Sequence, residues 1–162
     1  MPRIQPKPGA PGTPFRQVMA LRPEILKAWH GLDEATRFAG VLPDALKEEV
    51  RRALAAVHGC AFCASLGDPA AANDDPRTAA AVALGKAIAA HPTGIDDAAW
   101  QAAAAHFSDE ELVELLAWIC FMYAGEMFGA LMQFGRATPD QKRQYDEWRK
   151  AGASKTRVAG RA

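Results

Sequence analysis

From Ala117 to Phe134 the chain is apolar almost without relief, interrupted only by Glu126, Gln133 and glycines. A helix that is hydrophobic on every face has two homes, a bilayer or the centre of a bundle of other helices. A membrane span needs roughly 20 residues with few or no charges. This run is short and carries Glu126 in its middle, so a buried core helix is the better reading. Ser108-Asp-Glu-Glu111 just ahead of it has the spacing of a capping box, in which Ser108 accepts from the amide three residues on and Glu111 reaches back. The helix that follows is amphipathic first and apolar on all faces later, as the centre of an all-α fold requires.

The rest of the chain supplies helices to pack around it. Arg22-Pro23-Glu24 puts a proline in a first turn, and Ile25, Leu26, Trp29, Leu32 and Phe38 recur at helical spacing. Leu42-Pro43-Asp44 starts a second helix, with Leu46, Val50, Ala53, Leu54 and Val57 as its apolar stripe and Gly59 placed to end it in a left-handed turn. A short helix carrying Cys60 and Cys63 follows. Asp75 then caps an alanine-rich helix over 76–90 whose first position is Pro76. His91-Pro92-Thr93-Gly94 breaks it, a further helix spans about Asp96 to His106, and Thr138-Pro139-Asp140-Gln141 caps the last one, which holds Tyr145 and Trp148. No alternating pattern of strand length occurs, and the count comes to six to eight helices.

Two ends stand apart from this domain, which spans residues 15–150. Residues 1–14 carry prolines at 2, 6, 8, 11 and 14 with Gly9 and Gly12 between them, and read as an extended arm. Residues 151–162 are small and basic and read as a flexible, frayed tail. The 162 residues suit one domain with a real core, and 49% hydrophobic with 23% charged residues is an ordinary globular balance. Nineteen basic residues meet nineteen acidic ones. No global field therefore draws the chain to nucleic acid or an anionic membrane, and repulsion between copies is low, which permits self-association. Met1-Pro2-Arg3-Ile4 lacks the apolar core of a secretory signal, so the expected compartment is the cytoplasm.

In a reducing cytoplasm three cysteines do not make a structural framework, and a disulfide that forms there is catalytic or sensing. Cys60-Ala-Phe-Cys63 is the candidate. At the first turn of a helix this spacing lets two sulfurs bond, while unpaired amides and the helix dipole favour the nucleophilic thiolate. Zinc is the rival reading. It wants four ligands, and Cys120, His30, His58, His91 and His106 offer no second close pair. A thioredoxin-type motif would follow a strand, and none precedes this one. Glu48 lies twelve residues before Cys60, either folding back toward the sulfurs as a base or, with Glu49, forming a solvated pair of charges. Glu126 faces the dithiol, a subunit contact or a solvated edge. Cys120, among Trp118, Ile119, Phe121 and Met122, reads as a small core hydrophobe. No glycine-rich phosphate loop or Ser/His/Asp spacing rises above background.

Glu48-x11-Cys60-x2-Cys63 on a helix-turn-helix, followed by the alanine-rich helix and Phe107-Ser108-Asp109-Glu110-Glu111-Leu112, resembles the alkylhydroperoxidase D-like branch of the carboxymuconolactone decarboxylase superfamily. The likeness covers roughly residues 20–135 and is most specific over 41–67. It implies an all-helical fold, assembly into dimers, trimers or hexamers, and reduction of organic hydroperoxides through a Cys60–Cys63 disulfide without a metal or organic cofactor. It also implies that Cys63 attacks the peroxide, Cys60 resolves it, Glu48 serves the proton relay and a cellular dithiol restores the pair. The family's relay histidine falls at Gly67 here. His58, on the other side of the motif, is the candidate to substitute for it, and Ser65 is placed to hydrogen-bond a sulfur. The competing functions are a decarboxylase-type lyase, which needs no Cys-x-x-Cys, and a non-enzymatic redox sensor or assembly protein.

Overall fold

The structure, a computed structural model, describes residues 2–6 and 9–159, with side chains through residue 153. Within these limits the chain is all helical. Its elements are α1 (Pro14–Met19), α2 (Pro23–Phe38), α3 (Asp44–Ala55), α4 (Ala61–Ser65), α5 (Pro76–Ala90), α6 (Asp97–Ala104), α7 (Asp109–Leu131) and α8 (Pro139–Ala159).

Local chemistry accounts for most of the helix starts. Asp75 accepts from the amides of Arg77 and Thr78 with Pro76 in the first turn. The capping box at Ser108 is complete, each partner bonding the other's backbone. Thr138 and Gln141 repeat that exchange ahead of α8, at 3.2 and 2.9 Å. Caps of this kind each stabilise a helix by about 1 kcal/mol, because orphan amides would otherwise face weaker partners.

Two expectations about the ends change. The arm closes in helix, since Pro14 is the first residue of α1 and Thr13 caps it. Farther back, the Arg3 amide bonds the Met132 carbonyl at 3.0 Å, which ties Arg3 to the end of α7. The basic tail does not fray at Ala151, because α8 continues to Ala159. Alanine, lysine and arginine favour helix there, and Gly152 packs so closely on the Phe38 ring that a Cβ would overlap it. Residues 1, 7, 8 and 160–162 lie outside the described residues.

The apolar run is the centre of the bundle. α7 packs against α2, α3, α4 and α5. By length and composition it could cross a membrane, but Leu112, Leu115, Trp118, Ile119 and Met122 are spent on the main core with Leu46, Val50 and Leu54 of α3 and Leu84 of α5. A second, smaller apolar cluster joins Val18, Cys60, Phe62, Phe134 and Ala137 near the other end of α7. The dithiol belongs to this cluster.

Cys120 is not a core residue. It is exposed, and it stands in a row with exposed or half-buried Val113, Ala117, Ala124, Met127 and Leu131. The 4-3 spacing of that row keeps it on one face while the alternate positions carry the core. Ile25 and Leu32 of α2 are likewise turned outward, at 45% and 51% exposure.

Lys47 is fully buried, and it organises the corner between α2 and α3. Its ammonium donates to the carbonyls of Thr36 and Arg37 at 2.8 and 3.1 Å and pairs with Glu114. Glu114 in turn accepts from the amides of Val41 and Leu42, and Trp118 donates to the Lys47 carbonyl at 2.8 Å. A buried charge of this sort is tolerable because every donor is used.

Candidate dithiol site

α3 gives way to a turn in which Gly59 has φ 71°, a left-handed value that glycine adopts without strain. The turn delivers Cys60 as the N-cap of α4, where its sulfur accepts from the Cys63 amide at 3.2 Å. Cys60 and Cys63 are joined in a disulfide, with their Cα atoms 5.3 Å apart. The two sulfurs differ in surroundings. Cys60 is fully buried, whereas Cys63 is partly exposed and borders a cavity of about 430 Å³.

Gly129 makes room for the pair. A Cβ on that residue would stand 2.5 Å from the Cys60 sulfur and 3.6 Å from that of Cys63. Only a glycine on α7 lets α4 settle against it with both sulfurs in place. In sequence Gly129 looks like one more interruption of an apolar run.

The cavity beside Cys63 is lined by the rings of Phe15, Trp29, Phe62, Phe121, Tyr145 and Trp148 and by a mixed polar set that includes Arg37, Arg51, Glu126, His30, Asp33 and Glu34. Phe15, Trp29 and Phe121 pack ring against ring at centroid distances of 5.2 and 5.0 Å. Aromatic walls with a few convergent polar groups suit an amphipathic small molecule.

Glu48 is not a solvated charge. It is buried, and among the described residues no hydrogen bond joins it to a sulfur. Instead its carboxylate gathers α2, α3 and α8. Arg51 donates from Nε and Nη2, the latter at 2.8 Å, Arg52 Nε at 3.2 Å, Arg37 Nη1 at 3.3 Å and the Tyr145 hydroxyl at 2.7 Å. Arg149 stands 3.4 Å away. Burial alone would push the carboxyl up, but the Arg51 hydrogen bonds and charge, the Tyr145 hydroxyl and Arg149 outweigh it and hold it down at about 2. A carboxylate so saturated with donors carries no proton at neutral pH. Its tie to the dithiol is indirect, through Arg51 Nη1, which donates to the Cys63 carbonyl at 3.0 Å.

Arg52 fills the space around Gly67. A Cβ on Gly67 would lie 3.0 Å from Arg52 Nε, so a histidine there would crowd the guanidinium that bonds Glu48. Ser65 does not reach a sulfur. It donates to the Phe62 carbonyl at 2.8 Å and accepts from the Ala137 amide at 2.7 Å, which ties α4 to the segment before α8.

His58 bonds no sulfur either. Its Nδ1 meets Glu126 Oε2 at 2.6 Å, and its ring stands edge-on to Tyr123 at 4.4 Å. Glu126 is 3% exposed, which removes the solvated-edge reading, and burial pushes its carboxyl up against the opposing pull of His58. Among the described residues no three His, Cys, Asp or Glu side chains gather as a metal site would need.

No family model matches the chain, and no curated protein matches it either.

Proposed function

We propose that the protein is a thiol-dependent peroxidase that reduces organic hydroperoxides, a member of the alkylhydroperoxidase D-like branch. The unequal burial of the two cysteines carries the reading: Cys63 borders the cavity and Cys60 is fully buried. A hydroperoxide with an apolar body would lie in the cavity with its terminal oxygen toward Cys63. The Cys63 thiolate attacks that oxygen, the O–O bond breaks, and the alkoxide leaves as the alcohol after taking up a proton. Cys60 then attacks the sulfenic sulfur, expelling hydroxide, which leaves as water with the Cys60 proton, and the disulfide forms. A cellular dithiol regenerates the pair by attacking the accessible sulfur of Cys63. The leaving Cys60 thiolate is then met by the Cys63 amide that already points at it.

The lyase alternative uses no dithiol and leaves this arrangement without a purpose. A redox sensor would share the disulfide but would have no need of a cavity beside Cys63. In the test, reduced protein is mixed with cumene hydroperoxide and dithiothreitol. The wild type should consume peroxide and, without reductant, lose two hydrogens of mass. If Cys63→Ser consumes peroxide as fast as the wild type, the reading is wrong. A wild type that forms the disulfide but does not turn over is a sensor.

Self-association belongs to the same proposal. The outward row on α7 (Val113, Ala117, Cys120, Ala124, Met127, Leu131) is a continuous apolar stripe rather than a set of isolated surface residues. A second copy of the chain is the occupant that the net charge of zero permits.

A further inference from the structure

His58 and Glu126 stand between two cavities. Glu126 borders the cavity that holds Cys63, and His58 borders a second one of about 280 Å³, lined also by Arg3, Tyr123 and Met127. The two side chains meet at 2.6 Å through Nδ1 and Oε2. Each keeps one further polar atom, His58 Nε2 and Glu126 Oε1, that is buried and has no hydrogen-bond partner among the described residues. An unengaged carboxylate oxygen in a buried site is costly unless it carries a proton or meets a ligand. Three residues along α7 from Glu126, Gly129 is the contact point for both sulfurs, so the same face of the helix carries both features.

We propose that Glu126 is the general acid that protonates the departing alkoxide, and that His58 is the positioning residue that reloads it from the second cavity. The inference rests on the peroxidase reading. When the Cys63 thiolate takes the terminal oxygen, the O–O electron pair leaves on the alkoxide, which receives the proton from Glu126 Oε1. The carboxylate left behind is stabilised at Oε2 by the imidazole; as the imidazole takes up a proton at Nε2 from the side of the second cavity it gives its Nδ1 proton to Oε2, and a half-turn of the carboxyl returns that proton to the donor position. Burial favours the protonated carboxyl beforehand, and His58 favours the carboxylate afterwards. Arg51 and Glu48 act on Glu126 with opposite sign from α3. The relay histidine that Gly67 lacks is thereby replaced from a different helix and a different turn.

The experiment compares two reactions of the same sulfur. Peroxide reduction needs a proton for its leaving group; alkylation by iodoacetamide does not, because iodide leaves as the anion. Stopped-flow rates are measured on the reduced protein for cumene hydroperoxide and for iodoacetamide at Cys63. Glu126→Gln should slow the peroxide reaction by about 10²–10⁴-fold, the usual worth of a general acid, and leave alkylation unchanged. His58→Gln should show the same split, and it provides the second variant if Glu126→Gln does not fold. Equal losses in both reactions would mean that the pair only supports the site, and an unchanged peroxide rate would mean that it does nothing there; either overturns the relay and leaves the peroxidase reading standing. A wild type that is alkylated but inert to peroxide overturns the peroxidase reading and the relay together.

Discussion

Arg51 holds the Glu48 carboxylate through Nη2 at 2.8 Å and, with Nη1, donates to the Cys63 carbonyl at 3.0 Å. One guanidinium thus couples the ion cluster of α2, α3 and α8 to the short helix that carries the dithiol. Arg51→Met removes both bonds and leaves Glu48 buried with fewer partners. The expected loss is of order 3 kcal/mol in urea denaturation, as for a buried pair broken from one side. Glu48→Leu with Arg51→Met should cost less than the two single changes summed, and a double-mutant cycle reads the difference.

The cluster also makes stability depend on acid. The Glu48 carboxyl sits at about 2 in the fold against an ordinary 4.5, so the folded state binds its proton less readily than the unfolded chain does. That contribution is complete above pH 4.5 and is lost as pH falls toward 2, and its full size is roughly 3 kcal/mol. Glu48→Gln should be less stable than the wild type at pH 7, with the difference shrinking between pH 4.5 and 2. Thermal melts of the two proteins across that range measure it.

Gly129→Ala sets a methyl group against both sulfurs. Repacking of this kind costs about 1–3 kcal/mol. The expected result is a lower midpoint in denaturation and faster alkylation of Cys60 in the reduced protein, because the displaced sulfur loses its seal. An alkylation pattern identical to the wild type's would show that α4 and α7 are not packed through Gly129.

Gly67→His alone should not improve peroxide turnover. The imidazole would crowd Arg52 where it bonds Glu48, so stability is expected to fall without a relay being gained. Comparing peroxide consumption and melting temperature for Gly67→His and Gly67→His with Arg52→Ala tests whether Arg52 is what stands in the way.

Met127→Lys puts a charge into the middle of the outward row on α7, which is 46% exposed at that residue. If a second copy covers the row, light scattering should find a smaller species for the variant than for the wild type. Equal masses would remove α7 as the contact.

The sequence by itself determined the features that depend on neighbours three or four residues apart. The caps at Asp75, Ser108 and Thr138, the helical class, the turn at Gly59 and the reach of Cys60 to Cys63 are all of this kind, because the chemistry that makes them lies within one turn of backbone. Only the tertiary structure decided the site around the disulfide. His58 and Glu126 are 68 residues apart, and Tyr145 is 97 from Glu48; no periodicity relates them. A solvated pair is one reading of Glu48 and Glu49 because surface carboxylates are common, and nothing in the spacing marks Lys47 at all. Glu48 and Lys47 are buried because α2, α7 and α8 bring arginines, carbonyls and Glu114 to meet them. Cys120 erred in the opposite direction, since an apolar stretch long enough to circle a helix must turn one face outward unless something covers it. The motif named the sulfurs, and the packing of α3, α4 and α7 determined what surrounds them.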